Sequence, residues 1–121
     1  MRFSAASRLK TASEFALVRA GGVTFPGRFI VLSVLKLEQN DPWRCGLITS
    51  RKVGGAVQRN KIRRRLREIV RATPLRSGYW IVTIARWRAG EASLVELQDD
   101  WRRSAKRAGI LLQGIKQEGA S

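Results

Sequence analysis

The chain has 121 residues, of which 44% are hydrophobic, so it is long enough for one domain with a buried core. It carries 24 Lys and Arg against 9 Asp and Glu, a net charge of +15, which predicts a polyanionic partner. Nucleic acid is favoured over an anionic membrane, because no basic segment has the wide, bulky apolar face of a membrane-surface helix. The single cysteine and the absence of histidine exclude an internal disulfide, histidine acid–base chemistry and an ordinary zinc site.

Two further features of the sequence concern its single cysteine and the compartment of the protein. Cys45 lies in the apolar stretch CGLIT and is predicted to be a small buried core residue rather than a nucleophile. The opening sequence MRFSAASRLK lacks the apolar region of a signal peptide, and no stretch approaches the ~20 apolar residues that cross a bilayer. We therefore expect a soluble protein of the reducing cytoplasm.

The first half of the chain is predicted to contain one short helix and several strands. Thr11 to Glu14 match a capping box, which predicts a helix from there to about Ala20, ended by the glycine pair that follows. The stretches GVTF, RFIVLSVLKL and WRCGLITS have the β-branched and aromatic content typical of strands. The turn sequence EQNDP separates the last two and predicts an antiparallel hairpin from about Phe29 to Ser50.

The second half is predicted to contain two longer helices around one strand. Residues 56–72 are predicted to be helical, with an end at Thr73-Pro74. The stretch GYWIVTIAR is typical of a strand, and a capping box at Ser93 opens a helix to about Leu112. The resulting α-β-β-β-α-β-α order predicts an α/β sandwich with a mixed sheet. If its two flanking strands are parallel, the unit around helix 56–72 is a right-handed crossover by default.

Helix 56–72 belongs to the most basic part of the chain. A helical wheel places Ile62, Leu66, Ile69 and Val70 on one face that would pack on the sheet. Most of the basic residues lie beside that face. The basic residues of segment 51–71 are Arg51, Lys52, Arg59, Lys61, Arg63, Arg64, Arg65, Arg67 and Arg71, against the single acid Glu68.

A solvated helix face, a DNA-reading helix and an RNA-binding surface are the alternatives for this charge. A solvated face favours alternating signs, because like charges at i, i+4 repel, whereas Arg63, Arg67 and Arg71 form a like-charge row. A helix-turn-helix needs an adjoining helix, but strands flank this one. Arginine forks onto phosphate and stacks on bases, so RNA is favoured. We predict a single RNA-binding domain over residues 1–121, with a folded core at 8–112 and flexible ends at 1–7 and 113–121.

The sequence also resembles a known family over roughly residues 8–110. The stretch RNKIRRRLRE resembles the arginine-asparagine-arginine motif of the protein component of bacterial ribonuclease P. The stretches RLKTASEF, GLITSRKVGGAVQRNKIRRRLRE and GYWIVTIAR resemble the family's opening, central block and late strand. The resemblance implies an α+β fold: a single-domain sandwich with a mixed four-stranded sheet, similar to the second domain of ribosomal protein S5. It also implies a left-handed crossover, against the default above.

The resemblance implies a function as the RNA-binding subunit of a ribonucleoprotein that removes the 5′ leader from precursor tRNA. The RNA subunit carries the catalysis with Mg²⁺, and the protein has no catalytic residues and holds no cofactor or metal alone. The implied partners are the catalytic RNA and the precursor tRNA, with no membrane and no DNA. The alternative is a ribosome-associated or RNA-chaperone module without a catalytic assembly. A stand-alone nuclease is disfavoured because the acids are scattered, and Asp99-Asp100 are expected to be exposed helix acids rather than a two-metal site.

The resemblance assigns two sets of contact residues. The contact with the catalytic RNA is assigned to Arg51, Lys52, Arg59, Asn60, Lys61, Arg63, Arg64 and Arg67. The cleft that binds the leader is assigned to Phe15, Arg19, Phe29, Val31 and Ser33. Phe15 matches a family aromatic, although it is equally well explained as a core residue of a short helix. Which face of the sheet the strand residues occupy is not fixed by the sequence.

The sequence departs from the family pattern at three positions. Lys61 replaces the second arginine of the motif, which keeps the charge and loses bidentate phosphate contact. Arg19 and Ser33 stand where some members have aromatics, so electrostatics is expected to take more of the leader binding than stacking. The tryptophans are expected to be core or strand-edge residues rather than base platforms; they are Trp43, Trp80, Trp87 and Trp101.

Overall fold

The computed structural model describes residues 7–112. Its elements are α1 (Ala12–Gly21), β1 (Val23–Pro26), β2 (Ile30–Lys36), β3 (Arg44–Ile48), a 3₁₀ turn (Arg51–Val53), α2 (Ala56–Ala72), β4 (Tyr79–Ala85), a 3₁₀ helix (Trp87–Glu91) and α3 (Leu94–Ala108). The predicted α-β-β-β-α-β-α order is therefore confirmed. The ends predicted to be flexible lie outside the described residues, apart from Ser7.

β4 lies inside the sheet, which has the strand order β1-β2-β4-β3. β2 pairs antiparallel with β1 and with β4, and β3 pairs parallel with β4, so the sheet is mixed as predicted. The predicted antiparallel hairpin of β2 with β3 is wrong, because β4 separates these strands and takes the backbone hydrogen bonds of both. α2 forms the crossover between the parallel strands β3 and β4, and its left-handed sense stays a prediction from the resemblance.

The sheet separates two apolar clusters. The larger one joins the sheet to α2 and α3 through residues such as Leu32, Leu66 and Trp101. Trp101 is fully buried, and its indole Nε1 donates a 2.9 Å hydrogen bond to the hydroxyl of Thr83, which satisfies its one donor. The smaller cluster lies under α1, where Val18 meets the opposite face of the sheet. The fold is therefore a sandwich of helices around one sheet.

Cys45 lies in the larger cluster and is 1% exposed, so the prediction of a buried core residue is confirmed. Burial raises the pKa of its thiol to about 12, which leaves it protonated and inert as a nucleophile. Of the tryptophans, Trp101 is buried and Trp43 and Trp80 are half-buried, as expected. Trp87 is exposed, and for this residue the expectation of a core or strand-edge position is wrong.

Side-chain caps begin two of the helices that flank the sheet, and a glycine ends one of them. Thr11 and Glu14 form the predicted capping box at the start of α1, and Ser93 and Glu96 form another at the start of α3. α3 ends at Ala108 rather than near Leu112. Gly109 has a φ of 75°, a left-handed conformation that favours glycine and stops the helix.

Asp100 is the clearest correction to the sequence-based expectations. It was expected to be an exposed helix acid, but it is 3% exposed. Its carboxylate accepts backbone hydrogen bonds from Arg28, Phe29 and Ile30 at 2.8, 2.8 and 3.1 Å. These donors belong to the turn between β1 and β2 and to the first residue of β2. Asp100 therefore holds this turn onto α3.

Candidate RNA interface

α2 positions the basic residues by burying its apolar side. Ile62, Leu66, Ile69 and Val70 are buried, as the helical wheel predicted, so the remaining positions are directed away from the core. The basic face of α2 is defined here as Arg59, Asn60, Lys61, Arg63, Arg64 and Arg67, all of them half-buried or exposed. Arg51 and Lys52 are exposed on the 3₁₀ turn that leads into the helix. The structure thus brings together the eight residues assigned to the catalytic RNA.

Little negative charge lies on this surface within residues 7–112. Glu68 is the one acid of α2, and its carboxylate pairs with Arg71 at 2.6 Å. None of the ion pairs within the described residues involves a member of the basic face. Uncompensated like charges on one helix repel each other, so this surface is suited to binding a polyanion that neutralises them.

Arg63 connects α2 to the end of β3. Its Nη2 atom donates a 2.7 Å hydrogen bond to the hydroxyl of Thr49, and its Nη1 atom donates to the Asn60 amide oxygen at 3.3 Å. Thr49 directly follows β3, so these bonds hold the guanidinium at the edge of the sheet. A guanidinium has five donors, and the others stay available to a phosphate.

A groove of about 560 Å³ opens between α1 and the end of β3. Its lining residues are Lys10, Thr11, Ala12, Phe15, Ala16, Arg19, Leu47, Ile48, Thr49 and Arg63. Phe15, Leu47 and Ile48 supply apolar surface, the three cations supply positive charge, and none of the lining residues is acidic. We call this site the α1–β3 groove. An apolar surface beside cations fits the bases and phosphates of a single strand.

Phe15 lies directly on the sheet at Gly46. A Cβ atom added at Gly46 would lie 2.4 Å from two atoms of the Phe15 ring, so glycine is what allows this approach. Phe15 also packs against the cluster under α1 while remaining half-buried. Phe15 is therefore both a core residue of the smaller cluster and a lining residue of the groove.

Glu14 fixes the start of α1 against the sheet. Its carboxylate accepts the backbone N–H groups of Lys10 and Thr11 at 2.6 and 3.1 Å and pairs with Arg44 of β3 at 3.0 Å. The backbone hydrogen bonds, Lys10 first, and the Arg44 charge lower the pKa of Glu14 below its usual 4.5. These contacts hold the neighbouring residue Phe15 in place over β3.

The residues assigned to the leader cleft separate into three groups. Phe15 and Arg19 line the α1–β3 groove. The assignment of Phe29 is wrong, because this residue is buried in the larger cluster on the other side of the sheet from α1. Phe29 lies in the turn before β2, so the alternation of the strand does not place it on the same face as Val31 and Ser33. Val31 and Ser33 lie on the α1 side of the sheet by strand alternation, but neither lines the groove, and Ser33 is buried.

Comparisons with known proteins agree on one family. A family model described as Ribonuclease P matches residues 3–109. The chain is 42% identical over 108 residues to the ribonuclease P protein component of Symbiobacterium thermophilum, a match that covers 88% of this chain and 94% of that protein. It is 39% identical over 109 residues to that of Gluconacetobacter diazotrophicus, with 87% and 93% covered. This chain belongs to the ribonuclease P protein family.

Solved structures of ribonuclease P proteins support the fold. The Staphylococcus aureus protein superposes with a TM-score of 0.80 at 28% identity, covering 88% of this chain and 99% of that one. The Thermotoga maritima protein superposes with a TM-score of 0.72 at 29% identity, covering 83% and 96%. The chain is thus a protein component of bacterial ribonuclease P, a ribonucleoprotein endoribonuclease in which the RNA is the catalyst and the protein assists tRNA processing.

The acidic side chains described in this ribonuclease P protein are not grouped as a metal site requires. Within residues 7–112, no group of three or more His, Cys, Asp or Glu residues is arranged to hold a metal ion. Asp100, one half of the acidic pair in α3, is occupied by backbone donors. No helix in the same part of the chain is long and apolar enough to cross a membrane.

Sequence reasoning missed several residues of the α1–β3 groove. Lys10 and Thr11 come from the start of α1, and Leu47, Ile48 and Thr49 come from β3 and its end. The RLKTASEF stretch of the ribonuclease P family contains the first two, so proximity to Phe15 was an available signal. The residues of β3 lie beside α1 because of the order of strands in the sheet, and a short stretch of sequence does not specify that order.

Proposed function

We propose that this ribonuclease P protein holds two RNA segments on adjoining surfaces, the catalytic RNA on the basic face of α2 and the 5′ leader of precursor tRNA in the α1–β3 groove. The observation that carries the proposal is the position of Arg63. It belongs to the basic face and also lines the groove, where it bonds Thr49. A cation at this junction contacts both RNA segments where they approach each other.

The basic face binds the catalytic RNA mainly through phosphates. Arg59, Arg63, Arg64 and Arg67 supply planar forks that match phosphate geometry, and Lys61 supplies a point charge. Each neutralised phosphate releases counterions, so affinity falls steeply with salt. This surface recognises the shape of the RNA backbone rather than its base sequence.

The α1–β3 groove suits a single-stranded leader. Phe15 offers a ring on which one base stacks, with Leu47 and Ile48 beside it. Lys10 and Arg19 are exposed and supply charge to the strand backbone. This combination tolerates any base, because every base has a flat face and every nucleotide has a phosphate. The leaders of different precursor tRNAs differ in sequence, and such a groove accepts them all.

Mg²⁺ acts on the RNA side of the holoenzyme in this proposal. The charge of the protein neutralises phosphates that otherwise require cations from solution. The protein then lowers the Mg²⁺ concentration at which the RNA reaches its active conformation. We place the assembly in the cytoplasm, where precursor tRNA of a bacterium is made.

Reconstitution tests the proposal. Purified protein is mixed with a bacterial ribonuclease P RNA and precursor tRNA at a low Mg²⁺ concentration, at which the RNA alone is nearly inactive. We expect accurate removal of the 5′ leader that depends on the protein. RNA binding without a gain in cleavage would instead indicate a ribosome-associated or RNA-chaperone module.

A substitution in the groove separates its role from that of the basic face. Phe15→Ala should weaken holoenzyme affinity for precursor tRNA by roughly 5- to 100-fold, the value of one stacked base. Affinity for mature tRNA, which has no leader, should stay the same and serves as the internal control. An equal loss for both RNAs would exclude a leader-specific role for the groove.

A further inference from the structure

Trp87 is a large aromatic side chain in an unusual position. Its side chain is 60% exposed, whereas the other three tryptophans are buried or half-buried. It directly follows Arg86 at the end of β4 and begins the 3₁₀ helix Trp87–Glu91. Neither the basic face of α2 nor the α1–β3 groove contains it. An exposed aromatic on a charged surface is typical of an interaction site.

Three arginines lie on or next to the segment that carries this indole, and one of them contacts its ring. The guanidinium of Arg88 lies over the Trp87 ring at 5.9 Å from its centroid. Arg86 donates through Nη1 to the Gly27 carbonyl at 3.0 Å and through its backbone N–H to Phe29 at 2.9 Å. These bonds bring the Arg86 segment next to exposed Arg28. We call the set Arg28, Arg86, Trp87 and Arg88 the sheet-end surface.

Contacts with α2 hold the segment that carries Trp87 in place. Gln58 Nε2 donates to the Gly90 carbonyl at 3.3 Å, and Arg65 Nη1 donates to the Ala92 carbonyl at 3.3 Å. A Cβ atom at Gly90 would lie 2.4 Å from the Gln58 amide nitrogen, so the two segments pack closely. The segment also packs against the 3₁₀ turn Arg51–Val53, which carries Arg51 and Lys52 of the assigned RNA contact, so one RNA can reach both surfaces.

We propose that the sheet-end surface is a second contact for the catalytic RNA, at which an unpaired base stacks on Trp87 and Arg28, Arg86 and Arg88 bind neighbouring phosphates. The proposal rests on the chain's role as a ribonuclease P protein and names a further RNA-binding site in it. Charge favours RNA over a second copy of the chain, because two such surfaces facing each other would bring arginines together. Glu91 is the one acid in segment 86–92, and Arg88 already pairs with it at 3.5 Å.

The test measures affinity for a bacterial ribonuclease P RNA at several salt concentrations. Trp87→Ala should weaken binding by roughly 5- to 100-fold, and Trp87→Phe should stay within about threefold of the unsubstituted protein, because a smaller ring still stacks. Neither substitution removes a charge, so the salt dependence should not change. Arg88→Gln should instead reduce the salt slope by about one unit.

Tryptophan fluorescence supplies a direct readout of stacking. RNA should quench the emission of the unsubstituted protein, and most of that quenching should be lost in Trp87→Phe. Val23→Ala is the matched control, because Val23 is an apolar residue with 61% exposure at the opposite end of the sheet. This control should bind RNA and show quenching as the unsubstituted protein does.

Two outcomes would overturn the proposal without touching the ribonuclease P role. One is an affinity of Trp87→Ala within about twofold of the unsubstituted protein, while Arg63 and Arg67 substitutions still weaken binding. The other is unchanged RNA affinity with loss of self-association in sedimentation equilibrium, which would make the surface a contact between copies. Because Trp87 is exposed, its substitution should leave the urea unfolding midpoint unchanged, which checks that the variant is folded.

Discussion

The guanidinium of Arg63 bonds the hydroxyl of Thr49 over 2.7 Å, and this contact joins α2 to the end of β3 at the margin of the α1–β3 groove. The most basic helix and the groove are therefore adjoining parts of one surface. A substitution at this junction is expected to affect both RNA segments. Substitutions farther along either surface should affect one segment only.

Replacing Arg63 and Arg67 together by Gln should weaken binding of the catalytic RNA and flatten its salt dependence by about one unit for each lost phosphate contact. The measurement is the slope of log affinity against log salt concentration. Arg76→Gln is the matched control, because Arg76 is an exposed arginine outside α2. An unchanged slope in the double variant would show that this arginine row contacts solvent rather than RNA.

Gly46→Ala should displace the Phe15 ring and destabilise the protein by ~1–3 kcal/mol, the usual effect of overpacking. The reason is the 2.4 Å approach of an added Cβ atom to the ring. Adding Phe15→Ala should relieve the clash, so the double variant should be more stable than the sum of the single changes predicts. Additive effects in urea denaturation would contradict the observed contact.

Asp100→Ala should destabilise the protein by ~3–5 kcal/mol, because three backbone N–H groups lose a charged, buried acceptor. Asp100→Asn should be less severe, since an amide keeps one acceptor oxygen. Neighbouring Asp99 is exposed, and Asp99→Ala should stay within about 0.5 kcal/mol of the unsubstituted protein. Equal effects at the two positions in urea denaturation would remove the role assigned to Asp100.

Glu14 should make stability depend on pH in the acid range. Its folded-state pKa lies below the usual 4.5, so its ionised form contributes stability above that pH and loses it as the pH falls through the lower folded pKa. The difference in unfolding free energy between the unsubstituted protein and Glu14→Gln should be greatest near neutral pH and shrink in acid. A difference that does not vary with pH would contradict the lowered pKa.

Local sequence signals predicted the elements that depend on neighbours in the chain. The capping boxes at Thr11 and Ser93 and the apolar side of α2 are examples, because each is set by residues within one or two helical turns. Burial of Cys45 followed from the composition of its strand. The order of the elements predicted the mixed sheet, and the resemblance supplied the eight residues that lie on and before α2.

Contacts between distant segments were the ones that the sequence did not predict. The placement of β4 between β2 and β3 depends on a pairing choice that no short stretch specifies. Asp100 lies about 70 residues from the turn it holds, and helical position alone suggested exposure. Phe29 was assigned to the wrong side because strand alternation does not extend into the turn before β2.

The inner position of β4 has a consequence for synthesis of the chain. Among residues 7–112, β3 joins the sheet only through β4, yet β4 is made after α2. When the chain has left the ribosome as far as Ala72, all of α2 is therefore exposed before the sheet that supports it can form. During that interval the nascent chain is a cation-rich segment with an incomplete hydrophobic core. We expect cooperative folding to begin only once residue 85 has left the exit tunnel, and RNA that binds earlier meets a nascent chain without a finished groove.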